Sequence, residues 1–152
     1  MNWRRGLPMI GVIVVATAVT TGLAAAHGSA VKTPQPSAPA DTANAIDDDA
    51  TTRWTTASSQ QPGQYLSLDL GRTRTVRRLV LDTGADVNDF PAGYALSTSA
   101  DGLGWSASVA SGVGQGQLTV IDLLAVDSRY LRVTQTSTAA QWWTVADLRV
   151  YG

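Results

Sequence analysis

The residues best suited to chemistry in this sequence lie together in one short stretch, AIDDDATTRWTT, from Ala45 to Thr56. Within it the spacing D-x-D-x-x-T allows Asp47, Asp49 and Thr52 to point into one curled loop. Calcium takes about six to eight oxygen ligands from carboxylates, hydroxyls and backbone carbonyls, so the stretch predicts a calcium site. A solvent-exposed acidic turn is the alternative, because Asp is a common turn residue. The adjoining Thr-Arg-Trp favours the metal site.

Missing residue types narrow the functional classes. The 152-residue chain has no cysteine, and its single histidine is His27. Disulfides, zinc ligation through Cys or His and Ser-His or Cys-His nucleophiles are therefore not expected in the region that follows. All twelve acidic residues are Asp, so an enzyme would have to work with Asp alone. The chain lacks a basic stripe, and nucleic acid is not an expected partner.

The first thirty residues have the layout of a secretory signal. Arg4 and Arg5 precede an uncharged run over residues 6–26, and cleavage is expected after Ala26 or Ala30. A retained membrane anchor is the alternative, because about 20 uncharged residues can also span a bilayer. Both interpretations place the rest of the chain outside the cytoplasm, either secreted or attached to the cell surface.

The remaining sequence predicts a linker followed by one all-β domain. Residues 31–43 hold three prolines among small polar residues, which is typical of an extended tether. From Tyr65 onward apolar residues recur with a period of two, and turn residues interrupt them about every eight to twelve residues. Over residues 44–152 we predict an antiparallel jelly-roll sandwich of about eight strands. One strand lies near Ala45, and the others cover 65–70, 76–82, 94–99, 105–109, 118–122, 130–136 and 146–151.

Four segments stand in the order found in one known family. They are AIDDDATTRWTT, LSLDLGRTRTVRRLVLD, FPAGYALSTSADGLGW and SRYLRVTQTSTAAQWWTVADLRVYG. Together they resemble the discoidin, or coagulation factor V/VIII type C, domain. Within that family they are most similar to the galactose-binding-like family 32 carbohydrate-binding modules. The resemblance covers residues 43–152 and implies an eight-stranded jelly roll whose two ends meet at a structural calcium ion.

The resemblance also implies the calcium ligands. Two positions depart from the family's pattern: position 48 is usually Gly, and position 147 is usually Glu. Asp48 can adopt the left-handed conformation that the turn requires, whereas Asp147 is one methylene shorter than Glu, so we expect a weaker site. The implied ligands are the side chains of Asp47, Asp49, Thr52 and Asp147 and the carbonyls of Asn44 and Ala146.

In this family the ligand-binding surface is formed by loops at one end of the sandwich, which correspond here to residues 55–63, 84–91 and 136–144. Sugar binding needs a flat aromatic face beside amides, hydroxyls or carboxylates. Two of the loops offer both, and the predicted ligand-binding residues are Asn88, Asp89, Phe90, Gln141 and Trp142.

Each aromatic residue also has a structural interpretation. Trp54 leads into a buried sheet and is expected in the core, and Trp105 is expected in the core or at its edge. Strand alternation turns one residue of the adjacent tryptophan pair inward, and we predict Trp142 outside and Trp143 inside. Phe90 could equally cover the end of the sandwich.

These patterns predict a monomeric, non-catalytic carbohydrate-binding module. Galactose binders of the family usually carry a basic residue ahead of Asn on the middle loop, and residues 82–87 contain none. A β-glucan or another polysaccharide is therefore at least as well supported as galactose. One alternative is an adhesion module for protein or phospholipid, which would need basic residues around exposed apolar ones. A glycosidase with two Asp carboxylates is the other, less supported because the acids cluster at the predicted metal loop.

Overall fold

The computed structural model describes residues 43–49 and 51–152. The predicted signal or anchor over residues 1–30 and nearly all of the predicted linker over 31–43 lie outside these residues, so both stay predictions. Within the described residues, no helix has the length and apolar character needed to cross a membrane.

The described residues form seven antiparallel strands in two sheets, which confirms the predicted all-β sandwich. β1 (Trp54–Thr55) pairs with β6 (Thr144–Val145) in the smaller sheet. The larger sheet contains β2 (Tyr65–Asp82), β3 (Tyr94–Ser99), β4 (Ala110–Gly112), β5 (Leu118–Gln135) and β7 (Asp147–Tyr151). Its strands lie in the order β4-β3-β5-β2-β7.

The strand count differs from the predicted eight for three reasons: two predicted pairs are continuous strands, two predicted strands are absent from the described residues, and the short strands β1, β4 and β6 were not predicted. β2 joins the predicted 65–70 and 76–82, and β5 joins 118–122 and 130–136, so each is 18 residues long. Their pairing shifts register at two points along β2, and such bulges bend a strand and increase its twist. In one half of the sheet β5 pairs with β3 as well as with β2. In the other half β2 pairs with β7 as well as with β5.

Two further predicted strands are absent from the described residues. Residues 105–109 form a loop before β4, because serines there bond to the backbone: Ser106 Oγ donates to Ala107 O and Ser108 Oγ to Ala110 O, both at 2.7 Å. Such local bonds compete with a strand ladder. The segment near Ala45 is a turn, since the Asp47 carboxylate accepts from the Asp49 N–H at 3.0 Å.

Alternating leucines of the two long strands form the core. Leu66, Leu68 and Leu70 on β2 are buried, as are Leu131 and Val133 on β5. Each such side chain contributes about 1.5–3 kcal/mol when fully buried. The period-two pattern along residues 65–70 therefore predicted the inward face correctly.

Two tryptophans pack in the core beside the smaller sheet. Trp54 is 1% exposed and Trp143 is fully buried, and their rings meet edge to face at 4.8 Å between centroids. Trp142 is 48% exposed. The predicted burial of Trp54 and the predicted orientation of the adjacent pair are both confirmed.

Candidate functional site

The acidic loop, defined as residues 44–49 and 51–52, brings four oxygens together. Thr52 Oγ1 lies 2.7 Å from Asp47 Oδ2, 3.0 Å from Asp49 O and 3.4 Å from Asn44 O. Asp48 has a φ of 61°, the left-handed conformation predicted for it. The oxygens of Asp47, Thr52 and Asn44 belong to the predicted ligand set, whereas the Asp49 carbonyl stands in place of its predicted side chain. Carboxylate, hydroxyl and carbonyl oxygens are the donors that calcium prefers, so these four fit the ion.

Two predicted carboxylate ligands are engaged elsewhere. Asp49 Oδ1 accepts from Thr51 Oγ1 at 2.6 Å and from Thr51 N at 2.9 Å, and these bonds lower the pKa of Asp49. The carboxylate of Asp147 pairs with Arg149. Over residues 43–49 and 51–152, no three Asp, Glu, His or Cys side chains form a group that could hold a metal. An ion at this loop would therefore depend on hydroxyl and carbonyl oxygens as well.

The two ends of the domain meet beside this loop. Leu148 N donates to Ala45 O at 2.7 Å. Burial raises the pKa of Asp147, Arg149 partly offsets this rise, and the nearby Asp48 carboxylate adds to it. A cation bound between the two segments would relieve the repulsion between these carboxylates.

The other two predicted ligands, Asn44 and Ala146, were predicted to bind the ion through their backbone carbonyls. Asn44 is half-buried, and its side-chain Nδ2 donates to Arg53 O at 3.3 Å, which leaves its carbonyl toward Thr52. Ala146 is 3% exposed, and its N–H donates to Asp82 O at 2.7 Å. The Asn44 carbonyl thus belongs to the acidic loop, whereas the contact of Ala146 is with β2.

The three predicted ligand loops, 55–63, 84–91 and 136–144, are joined by hydrogen bonds and are called the loop end below. Thr56 N donates to Trp143 O at 3.0 Å, which connects the first and third loops. Thr144 connects the third loop to the middle one: its N donates to Asp89 O at 2.9 Å and its Oγ1 to Asp89 Oδ2 at 3.0 Å. One continuous surface therefore contains all five predicted ligand-binding residues.

These five residues differ in how far their side chains are exposed and free to bind a ligand. The side chains of Asn88 and Gln141 are exposed, Gln141 directly before Trp142 in the chain, and neither hydrogen-bonds to another residue in the described part of the chain. Asp89 and Phe90 are half-buried. Asp89 already accepts from Thr144, so its carboxylate supports the loop as well as facing solvent.

Sequence reasoning missed a fourth segment of this surface. Gly114 N donates to Pro91 O at 2.8 Å, which places residues 113–117 against the middle loop. A Cβ at Gly114 would lie 2.6 Å from Pro91 O and 2.8 Å from Phe90 Cδ2, so glycine is required for this contact. In the sequence, glycine here indicates only a turn residue, so the pattern gives no partner for Gly114. Its neighbour Val113 is 61% exposed, beside the middle loop that carries Val87 at 47%.

A second missed residue is Gln60, in the first loop. It is 1% exposed, although glutamine is usually a surface residue. Its backbone N–H donates to Ala139 O at 2.9 Å, which ties the first loop to the third. No periodic pattern surrounds this position, so the sequence carries no signal for its burial.

Arg132 and Trp105 form a contact that involves none of the three ligand loops. The Arg132 guanidinium stacks between the rings of Trp105, at 3.9 Å, and Tyr65, at 4.2 Å. Burial lowers the pKa of Arg132. Trp105 is half-buried in this stack and belongs neither to the core cluster nor to the residues packed against it, so its predicted place in the core or at its edge is not confirmed. The stack joins the loop before β4 to the larger sheet.

Comparison with known proteins shows the class to which this fold belongs. The family model of the F5/8 type C domain matches residues 28–148, so the chain belongs to this family and the resemblance predicted from the sequence is confirmed. No curated protein sequence gives a significant match.

Solved structures with the same fold include carbohydrate-binding modules. Chitosan-binding module 1 of a chitosanase/glucanase from Paenibacillus sp. IK-5 is similar at 28% identity and a TM-score of 0.63, over 73% of this chain and 84% of that one. The family 32 module of AlyQ, in complex with 4,5-unsaturated mannuronic acid, has 26% identity and a TM-score of 0.60, over 72% and 84%. The family 32 module of Clostridium perfringens NanJ, in complex with galactose, shares the fold at 22% identity and a TM-score of 0.61, over 73% and 84%.

Proposed function

We propose that this protein is a non-catalytic carbohydrate-binding module that holds a polysaccharide at the loop end. One observation carries the proposal: Trp142 is 48% exposed and stands with the free amides of Asn88 and Gln141 on loops that hydrogen bonds join. An exposed tryptophan can stack on the C–H face of a sugar ring, and amides can pair with its hydroxyls. The carbohydrate-binding modules of similar structure support the proposal.

The charges of the loop end favour a neutral or amine-bearing polysaccharide. Residues 55–63, 84–91 and 136–144 contain Asp86 and Asp89 but no Lys, Arg or His. A uronate chain would bring carboxylates toward these acids, and Arg53, just before the first loop, is already paired with Asp86 at 3.0 Å. A β-glucan or a chitosan-like chain avoids this repulsion, and the chitosan-binding modules of similar structure agree with the second choice.

We propose that calcium, if bound, has a structural role at the acidic loop. The oxygens that would hold it are Asp47 Oδ2, Thr52 Oγ1 and the carbonyls of Asn44 and Asp49, which converge in the loop. The ion would stabilise the folded state because the unfolded chain cannot present these oxygens together. Sugar recognition would remain with the loop end.

We further propose that the module acts as a monomer outside the cytoplasm. The signal or anchor layout of residues 1–30 supports export, and the tether of residues 31–43 would separate the domain from whatever the chain is attached to.

The test is a titration of immobilised glycans with the wild type, Trp142→Ala and Tyr151→Ala. Tyr151 is a matched control, because it is 38% exposed on β7, where it pairs with Arg78 rather than with the ligand loops. We expect chitosan or β-glucan oligomers to bind the wild type and Tyr151→Ala, and binding to be lost in Trp142→Ala. Unchanged binding by Trp142→Ala would remove the loop end from the site. Retention by anionic liposomes alone would favour the adhesion alternative.

A further inference from the structure

We infer that Gln60 is the positioning residue of the loop end: its buried amide sets the main chain that carries Phe90 and Trp142. This inference rests on the proposed glycan-binding role of that surface. Gln60 does not contact the solvent-exposed face, since it is 1% exposed. It acts through the residues around it.

The side chain of Gln60 joins the three ligand loops at one point. Its Nε2 donates to Phe90 O and to Trp142 O, each at 3.0 Å. Its Oε1 accepts from Ala92 N at 2.8 Å. The planar amide of Gln60 thereby links the first loop to the middle and third loops. Because the carbonyls of Phe90 and Trp142 accept from the same Nε2, their positions are fixed relative to each other.

A second buried amide completes the arrangement. Gln135, at the end of β5, donates from Nε2 to Gln60 Oε1, and its own Oε1 accepts from Gly93 N at 3.0 Å. Its main chain pairs with the first loop, since Gly63 N donates to Gln135 O at 2.8 Å and Gln135 N donates to Gln64 O at 2.7 Å. The hub formed by the Gln60 and Gln135 side chains is therefore anchored in the larger sheet.

The orientation of both amides follows from their partners. A backbone N–H can only donate, so the oxygen of Gln60 must face Ala92 and the oxygen of Gln135 must face Gly93. The nitrogen of Gln60 then faces two carbonyls, which can only accept. All the usual hydrogen-bonding positions of this buried amide are filled.

Only a glutamine meets these requirements at this position. An ionised glutamate could not donate to Phe90 O or Trp142 O, and a methionine of similar volume could neither donate nor accept. Either change leaves buried backbone groups without partners, which is costly. Loops that are ordered before the ligand arrives lose less entropy on binding, so the hub is expected to raise affinity.

The experiment compares Gln60→Met with Gln64→Met. Gln64 is a matched control because its side-chain bonds stay within the first loop: Oε1 accepts from Gln61 N at 2.8 Å, and Nε2 donates to Ser58 Oγ at 3.0 Å. Two quantities are measured well below the melting temperature: amide hydrogen exchange without ligand, and calorimetric titration with chitosan and β-glucan oligomers. If Gln60→Met does not fold, Gln60→Asn keeps the amide but shortens its reach by one methylene.

We expect faster exchange in Gln60→Met at Ala92 and over residues 142–144, and about tenfold weaker sugar binding with unchanged stoichiometry. Gln64→Met should change neither. If Gln60→Met only lowered the stability of the domain, exchange would be faster throughout the domain, or the stoichiometry of binding would fall. Either result would overturn the inference. So would unaltered exchange and affinity in Gln60→Met. If the wild type binds no polysaccharide, the proposed function fails, while the exchange pattern alone still decides whether Gln60 orders the loops.

Discussion

The acidic loop is held by contacts between residues close in the sequence, whereas the loop end is held by contacts between residues far apart in the sequence. In the acidic loop, Thr52 bonds to Asp47 five positions away and Thr51 to Asp49 two positions away. At the loop end, Gln60 bonds to Phe90 and Trp142, which are 30 and 82 positions away. Residue spacing can predict the first kind of contact, whereas only the folded chain creates the second.

The two regions also differ in the charge of the residues that hold them in place. The three consecutive aspartates of the acidic loop are exposed, and their like charges repel one another. The loop end is organised around neutral, buried amides. We therefore expect the acidic loop to depend on a cation and the loop end to depend on packing and hydrogen bonding. The following predictions test this contrast, from the largest effect to the smallest.

Truncating the buried Trp143 should give the largest loss of stability. Trp143→Ala removes a fully buried ring in contact with Trp54, which should lower the free energy of unfolding by about 3–5 kcal/mol. Trp142→Ala, one residue earlier and 48% exposed, should change it by less than about 1 kcal/mol. Urea unfolding followed by circular dichroism measures both. Similar losses in the two variants would contradict the inward and outward orientation.

Removal of calcium should lower the stability of the fold through the acidic loop and leave the contacts of the loop end intact. At a free calcium concentration about one hundred times the Kd, the ion should add about 2.7 kcal/mol to the stability of the folded state. A strong chelator should then lower the Tm of the wild type but not that of Asp47→Asn, because Asp47 Oδ2 is the carboxylate oxygen nearest Thr52 Oγ1. Differential scanning calorimetry checks this. A Tm indifferent to the chelator would exclude a stabilising ion at the loop.

Two neighbours on the middle loop should respond in different ways. Asn88 is exposed and makes no side-chain bond within the described chain, so Asn88→Ala should weaken glycan binding by about 1 kcal/mol, roughly fivefold, without loss of stability. Asp89→Ala removes the acceptor of Thr144 Oγ1 and should lower stability by about 1 kcal/mol. Titration and thermal unfolding of both variants separate the two roles, and reversed effects would contradict them.

The ion pair between Arg53, which follows the acidic loop, and Asp86 of the loop end should contribute least. Arg53 Nη1 lies 3.0 Å from Asp86 Oδ2, but the side chains are 53% and 35% exposed. A double-mutant cycle with Arg53→Ala and Asp86→Ala should give a coupling energy of about 0.5 kcal/mol, which falls further in high salt. A coupling of several kcal/mol would show that the acidic loop and the loop end act as one unit.

The sequence alone determined the parts of this protein that depend on local order. Alternation placed Leu66, Leu68 and Leu70 in the core, and adjacency in an extended segment separated Trp142 from Trp143. The spacing of the acidic loop likewise predicted that Asp47 and Thr52 would meet. Each of these results follows from the fixed geometry of a short stretch of chain.

Tertiary structure decided the features that depend on distant neighbours. The two 18-residue strands are continuous because β2 and β5 pair with each other across the turn residues that had suggested breaks. Gly114 came to lie against Phe90, and Gln60 was buried between loops far apart in the chain. Glutamine and glycine carry no hydrophobic period, so their roles exist only once folding has brought their partners to them.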